Sequence, residues 1–403
     1  MGMCSLTEIY RIGRGPSSSH TMAPERAAER MRTLYPAADR FEVTLLGSLA
    51  LTGRGHRTDY AIEQALSPLP CRIIWDTERS DLPHPNTMEF AAFRGDQLCG
   101  RETVLSVGGG AIRMLGEKRE PLPEVYPETS FEEISRVCAE NRWELADYVF
   151  RREPELKEHL RSAWEQMQRT VEAGLSADGE LPGGLHVRRR AKELYELGMR
   201  DRDLVKKEHF LISAFAYALS EENAAGGRMV TAPTCGACGV LPAVLYYEKH
   251  LFGCTDDEIC RALATAGILG QVIRTNASVS GAEAGCQAEI GSACSMAAAA
   301  LCSLRGLDIT RTEVAAEIAM EHNLGLTCDP VCGLVQIPCI ERNAMGALRA
   351  YDAATLAEGV FRDRKVSFDT VVKTMYQTGK DLSRHYRETA EGGLAKTYVN
   401  KIR

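Results

Sequence analysis

Three cysteines in the C-terminal half stand in segments that could build a site. They are Cys286 in Ser278-Val-Ser-Gly-Ala-Glu-Ala-Gly-Cys286, Cys328 in Leu326-Thr-Cys-Asp-Pro330, and Cys339 in Val335-Gln-Ile-Pro-Cys-Ile-Glu-Arg-Asn343. Three thiolates are one short of the four that ordinarily fill the protein ligation of an iron–sulfur cluster. A cluster held by three keeps one iron open, and an open metal position is what turns a structural site into a catalytic one. Asp329-Pro330 and Ile337-Pro338 prevent one uninterrupted helix through this region. Irregular backbone inside a buried domain needs partners for its polar groups, and a cofactor is one such partner. The intervals match no ferredoxin run, so spacing alone leaves open a cluster or a merely cysteine-rich core. On spacing, Cys332 is a candidate ligand as well.

Four other segments carry chemistry-bearing residues. In Ile12-Gly-Arg-Gly-Pro-Ser-Ser-Ser-His-Thr-Met22 a Gly-Pro turn runs into Ser17, Ser18, Ser19, His20 and Thr21 at a helix start. Hydroxyls and backbone N–H groups so concentrated suit a carboxylate or phosphate, against the plainer reading of a hydroxyl-rich helix cap. It is no dinucleotide fingerprint, because no convincing strand precedes Gly13 and Gly15. In Leu51-Thr-Gly-Arg-Gly-His-Arg-Thr-Asp-Tyr60, glycines on both sides of Arg54 allow close backbone approach beside His56. His84 in Leu82-Pro-His-Pro-Asn-Thr87 has Asn86 and Thr87 as polar neighbours; a lone loop histidine is more often simply solvated. Thr231-Ala-Pro-Thr-Cys-Gly-Ala-Cys-Gly239 is a Gly-rich turn entering an apolar helix. Its Cys235 and Cys238 have CxxC spacing, but no second pair completes a zinc site and no thioredoxin-like unit precedes them. The turn is better read as placing Thr234 and backbone N–H groups near a ligand.

The elements that must position these residues fall into three stretches: a mixed α/β region over 1–130, a helical connector over 131–200, and an all-α region over 201–403. In the first, 22–34 reads as a helix with Thr21 as a plausible cap. Runs at 41–46, 71–75, 87–93 and 103–107 read as strands, with a short helix at 59–66. Beyond Asp203 the pattern is almost wholly helical and rich in Ala, Gly, Cys and Met, so its helices can pack closely. The fold class is therefore α+β.

Composition narrows the partners. The net charge is −7, which disfavours nucleic acid or an anionic membrane. No apolar run is long enough to span a bilayer and the first residues have no signal-peptide pattern, so the expected location is the cytoplasm. In a reducing compartment, 14 cysteines point to metal binding or burial rather than disulfides.

Taken together, the segments resemble the iron–sulfur-dependent bacterial L-serine dehydratases (L-serine ammonia-lyases) of the single-chain type. The likeness is carried by Gly15-Pro-Ser-Ser-Ser-His-Thr21, Gly47-Ser-Leu-Ala-Leu-Thr-Gly-Arg-Gly-His56, Ser106-Val-Gly-Gly-Gly110, Ala232-Pro-Thr234, Ser280-Gly-Ala-Glu-Ala-Gly-Cys286, Leu326-Thr-Cys-Asp-Pro330 and Pro338-Cys-Ile-Glu-Arg-Asn343. It implies an N-terminal α/β substrate-binding-like domain before a helical catalytic domain. It also implies a [4Fe-4S] cluster on Cys286, Cys328 and Cys339, with Cys332 a bystander, and a homodimer. His56 and His20 become the candidates for proton transfer, His56 ahead as base. Ser17, Ser18, Ser19, Thr21, Asn86, Thr87, Thr234 and Asn343 become candidates for holding L-serine. Two departures stand out. The family commonly has Asn where this chain has Cys235 and a small residue where it has Cys238, and some members end in a cysteine-bearing tail. Here Gly392-Gly-Leu-Ala395 is followed by Lys-Thr-Tyr-Val-Asn-Lys-Ile-Arg, without a thiol to cap the open iron. A pyridoxal-phosphate enzyme would need a Schiff-base lysine with a phosphate loop, and Lys206, Lys207 and the Gly108 run make no such pair. The remaining alternatives are β-elimination on L-threonine or L-cysteine, which Cys235 keeps in view, and a non-catalytic iron–sulfur redox sensor.

Overall fold

The computed structural model describes residues 2–116, 123–362 and 364–402, so Met1 and Arg403, at the ends of the two termini read above, lie outside the described residues. A five-stranded mixed sheet organises the N-terminal region. Its strands, after a short β1 (Ile12–Arg14), are β2 (Arg40–Gly47), β3 (Cys71–Asp76), β4 (Asn86–Arg94), β5 (Gln97–Ser106) and β6 (Ile112–Met114), in the spatial order β3-β2-β4-β5-β6. β2 is parallel to β3 and antiparallel to β4. Alternation makes β2 a strand: Phe41, Val43 and Leu45 are buried, while Glu42 and Thr44 are half-buried on the other face. The buried side chains pack with Met88, Phe90 and Val104 against Ala27, Ala28 and Met31 of the helix Ala23–Leu34 and Ile62 and Leu66 of the helix Thr58–Leu66.

The strand pairing gathers three segments at one end of this sheet. Gly47 at the end of β2 lies opposite Asn86 at the start of β4, and Thr87 lies opposite Leu105 near the end of β5. Beyond β5, Gly108, Gly109 and Gly110 all take positive φ, which turns the chain back sharply. That end faces the helical half.

There the helix Ile290–Leu304, built largely of Ala, Ser, Cys and Met, is buried along nearly its whole length. The helices Asp256–Asn276, Ile309–Glu321, Val240–Phe252 and Cys339–Val360 pack around it. Small residues set the spacing between helices. A Cβ on Gly174 of Leu156–Ser176 would fall 2.3 Å from the Ala218 carbonyl oxygen of Leu204–Ala224. No helix among the described residues is long and apolar enough to cross a membrane.

The α+β class read from the sequence holds, and the structure adds how the two parts are joined. Leu6, Ile9 and Tyr10 are buried in the helical core, with the Tyr10 hydroxyl donating to the Leu263 carbonyl at 2.8 Å. β1 pairs antiparallel with β7 (Arg228–Val230), a short strand inside the helical half. One helix start differs from its reading. Residues 18–22 form a π-turn ahead of the helix, and Ser17, not Thr21, caps it by accepting the His20 N–H. Thr21 instead donates its hydroxyl to the His56 carbonyl at 2.7 Å. A tertiary contact has overridden the local capping preference.

Candidate active site

His20 and His56 come from different helix entries and meet ring to ring, with centroids 4.6 Å apart. Both are buried, at 0% and 1% exposure. Ser17 braces the first turn, with its hydroxyl 3.3 Å from that of Ser19, and Ser18 is buried beside them. Thr58 donates to the His20 carbonyl, tying the two histidine segments together.

The hydrogen-bond network assigns both tautomers. The Ser48 hydroxyl spends its one proton on the Glu388 carbonyl at 2.6 Å, so it accepts from His20 Nε2 at 3.0 Å. His20 Nδ1 is then the acceptor, taking the Ser19 hydroxyl at 2.8 Å. His56 Nδ1 lies 2.9 Å from the Thr52 carbonyl, which can only accept, so Nδ1 carries the proton and Nε2 keeps its lone pair.

Both lone-pair nitrogens face Glu388, whose Oε1 is 3.4 Å from His20 Nδ1 and 4.0 Å from His56 Nε2. Burial lowers the His56 pKa to about 4 and puts His20, which also feels His56, well below the usual range. Burial, with the negative charges of Glu289 and Cys286, holds Glu388 well above the usual carboxylate range. Burial thus keeps both imidazoles uncharged at neutral pH and favours the protonated form of the carboxyl beside them. Glu388 is a non-glycine residue at φ 57°, a strained conformation of the kind that clusters at functional sites.

The second cluster of side chains is sulfur. Cys286 opens a 3₁₀ turn after Gly285, whose φ of 76° lets the chain swing back. Cys328 lies in extended backbone bridged to Arg387: its N–H donates to the Tyr386 carbonyl and its carbonyl accepts the Glu388 N–H, each at 2.8 Å. Cys339 is the first residue of the helix Cys339–Val360, where the helix dipole favours a thiolate. The Arg342 guanidinium lies among all three and is held to Asp329 at 3.3 Å. Cys328 donates to Cys286, which lowers the Cys286 pKa and raises that of Cys328; burial raises Cys339. Cys332 is exposed.

Among the described residues, no three His, Cys, Asp or Glu side chains converge as a single-ion site. An iron–sulfur cluster asks for a different donor set, one thiolate on each of several irons. Three buried or half-buried thiols around one compensating guanidinium suit that requirement.

The remaining residues read from the sequence fall into two groups. The side-chain amide of Asn86, at 0% exposure, has no hydrogen-bond partner at either end among the described residues. Its backbone N–H donates to His84 Nδ1 at 3.0 Å, and His84 Nε2 donates to Glu283 Oε1 at 3.0 Å, spanning from the sheet to the cysteine-bearing half. Thr87 and Asn343 are turned to backbone instead. Thr87 donates to the His84 carbonyl at 2.7 Å. Asn343 accepts the Gly239 N–H at 2.8 Å and donates to the Gly236 and Cys339 carbonyls at 2.8 and 2.9 Å. Thr234 donates to Glu289 Oε1 at 2.8 Å, and burial raises Glu289 to about 7. Cys235 and Cys238 are fully buried behind this turn.

Sequence reasoning passed over Glu388, Ser48, Glu289, Ser280 and Arg387 as site residues. Ser48, Ser280 and Glu289 lie in or beside segments already singled out. For Glu388 and Arg387 no local pattern pointed to a site.

Known proteins match this chain over nearly its whole length. A family model described as serine dehydratase alpha chain matches residues 25–395. L-serine dehydratase 2 of Escherichia coli (strain K12) is 41% identical, over 98% of this chain and 99% of that protein. The L-serine dehydratase of Haemophilus influenzae is 39% identical over 98% and 100%, and that of Streptomyces coelicolor 41% over 98% and 99%. With the pattern running from the first helix to the last and relatives matched end to end, the chain belongs to the serine dehydratase family.

Proposed function

We propose that this protein is an L-serine dehydratase, an ammonia-lyase that converts L-serine to pyruvate and ammonia. The observation that carries the reading is the juxtaposition of two buried, uncharged histidines with a three-thiol pocket. The link between them is Glu388, whose carboxyl lies 3.4 Å from His20 and 4.0 Å from His56 while its N–H donates to the Cys328 carbonyl at 2.8 Å. Cys286, Cys328 and Cys339 would hold a [4Fe-4S] cluster, with Arg342 offsetting its negative charge. When bound, the cluster supplies Lewis acidity at the substrate hydroxyl through an iron without a protein thiolate.

The chain's own residues do the rest. His56 Nε2, whose lone pair is free, takes the α-proton. The bond to the β-hydroxyl breaks as the Cα–Cβ double bond forms, and the hydroxide leaves as water with one proton. The aminoacrylate so formed tautomerises to an imine, and water hydrolyses it to pyruvate and ammonia. Thr52 holds the His56 ring through Nδ1, and Ser48 and Ser19 hold His20 in a single orientation. Ser17, Ser18 and Thr21 form the wall behind the histidines. Asn86 offers its amide to the substrate, Thr234 orients Glu289, and Thr87 and Asn343 brace the pocket from behind. Burial removes water that would compete for the α-carbanion charge.

A cytoplasmic homodimer is part of the reading. Leu197, Met199, Leu204 and Val205, exposed together at one helical corner, support a covered face there.

The test is pyruvate release from L-serine by protein purified without oxygen, repeated after brief exposure to air. The expected result is activity that disappears as the cluster absorbance bleaches. Cys286→Ser, Cys328→Ser and Cys339→Ser should each lose both. Normal turnover by Cys286→Ser would remove the ligand assignment, and an intact cluster without pyruvate would move the reading to another β-substituted amino acid.

A further inference from the structure

Buried polar groups ordinarily find partners, so those that have none mark where something else binds. Among the described residues three such groups lie around Glu283: both ends of the Asn86 amide, the Ser280 hydroxyl and Arg387 Nε. Asn86 is 0% and Ser280 3% exposed.

Their links to Glu283 are short. Arg387 Nη1 donates to the Glu283 carbonyl at 3.3 Å, which spends one edge of the guanidinium and leaves Nε turned elsewhere. The Glu283 N–H donates to the Ser280 carbonyl at 3.1 Å. Glu283 Oε1 accepts from His84, which in turn accepts the Asn86 N–H. The Gly108 turn of the sheet packs directly over Ser280, where a Cβ would come within 3.5 Å of Ser280 Cβ. A cleft of about 1240 Å³ reaches Val279 and Glu283 from the side of Arg113 and Arg274. On one flank Arg387 is followed by Glu388, which faces the histidines. On the other, Ser280 is followed by Gly281, which abuts Cys328.

We infer that Arg387, Ser280 and Asn86 together form the anchor for the α-carboxylate of the amino-acid substrate. The chemistry of the donors fits that group. Arg387 Nε–H and the Ser280 hydroxyl supply a charge-assisted and a neutral hydrogen bond to a carboxylate. The Asn86 amide supplies a third through Nδ2, while its Oδ1 accepts from the substrate ammonium. Arg387 precedes Glu388, which faces His56, and Ser280 precedes Gly281, which abuts Cys328, so a carboxylate held by both sits on the chain that joins the two clusters and the contact that binds the substrate also orients it. The inference deepens the dehydratase reading and rests on it only for which amino acid is taken.

The test uses L-alanine, which has the carboxylate and ammonium but no leaving group, and L-alaninamide, which lacks the carboxylate. Equilibrium binding of each is measured to the wild-type protein and to Arg387→Gln, purified without oxygen. The expected result is that the wild type prefers L-alanine. Arg387→Gln should weaken L-alanine by about 10- to 100-fold while leaving L-alaninamide nearly unchanged. Equal weakening of both ligands, or no preference in the wild type, overturns the anchor. If Arg387→Gln does not fold, Ser280→Ala and Asn86→Ala carry the same comparison, and each should narrow the preference. Failure to release pyruvate from L-serine would remove the dehydratase reading and leave the anchor standing if that preference is still lost in the variant.

Discussion

Replacing His56 by Asn tests the central geometry, because Asn keeps an N–H for the Thr52 carbonyl but has nothing in place of Nε2. Loss of a positioned base costs about 100- to 10,000-fold in rate, so kcat/KM for L-serine should fall by that much. The same residue makes a separate prediction for stability. In the unfolded chain a histidine titrates at 6.5, whereas buried His56 does so at about 4. Between those values the unfolded chain binds a proton that the folded chain refuses, so stability is full above pH 6.5 and is lost as pH falls toward 4. At 1.36 kcal/mol per pH unit, about 2 kcal/mol has gone by pH 5 and about 3 kcal/mol by pH 4. His56→Asn has no such term. Urea unfolding followed by circular dichroism at a series of pH values, wild type minus variant, isolates it and cancels the carboxylates common to both. The wild-type acid limb of kcat/KM should likewise fall well below 6.5. A stability difference that stays flat from pH 7 to pH 4, or an acid limb at about 6.5, would refute the assignment of His56 as a buried neutral base.

Two further substitutions test the packing that positions the site. Gly174→Ala drives a Cβ against the backbone oxygen of Ala218, which cannot swing aside, so the helices must separate. The expected loss is about 1–3 kcal/mol, even though Ala is the better helix former, measured by the urea midpoint; a more stable variant would show that the helices shift freely. Asn343→Ala strips the Gly239 N–H and the Gly236 carbonyl of their partner, at a cost on the order of 3 kcal/mol. It should lower the melting temperature and leave the KM for L-serine little changed in the protein that remains folded. A large rise in KM without loss of stability would instead make Asn343 a substrate contact.

Much of the architecture is legible in local sequence because it follows from short-range rules. Alternation in residues 41–46 makes a strand with one buried face, and the Ala- and Cys-rich pattern of 290–304 can only be a buried helix if so few polar side chains are to find partners. Ser130 with Glu133 and Thr255 with Glu258 close capping boxes at the starts of their helices, as their spacing allows. The Ser17-to-Met22 segment shows where such rules stop: Thr21 has the right chemistry for a cap, but its hydroxyl is claimed by His56 from another helix entry.

By itself the sequence determined which residue types were on hand: three thiols beside prolines and glycines, two histidines in polar turns, and small residues that permit close helices. Only the tertiary structure decided which of them meet and in what state. Ser48 fixes the His20 tautomer from 28 residues away, and the backbone carbonyl of Glu388 reaches Ser48 across 340. Arg387 is bridged to Cys328 by strand-like pairing, and Glu388 follows it at a left-handed bend. A histidine's protonation, the upward shift of a buried carboxyl and an amide without a partner depend on burial and on donors from distant segments, and those are properties of position in space that local spacing does not encode.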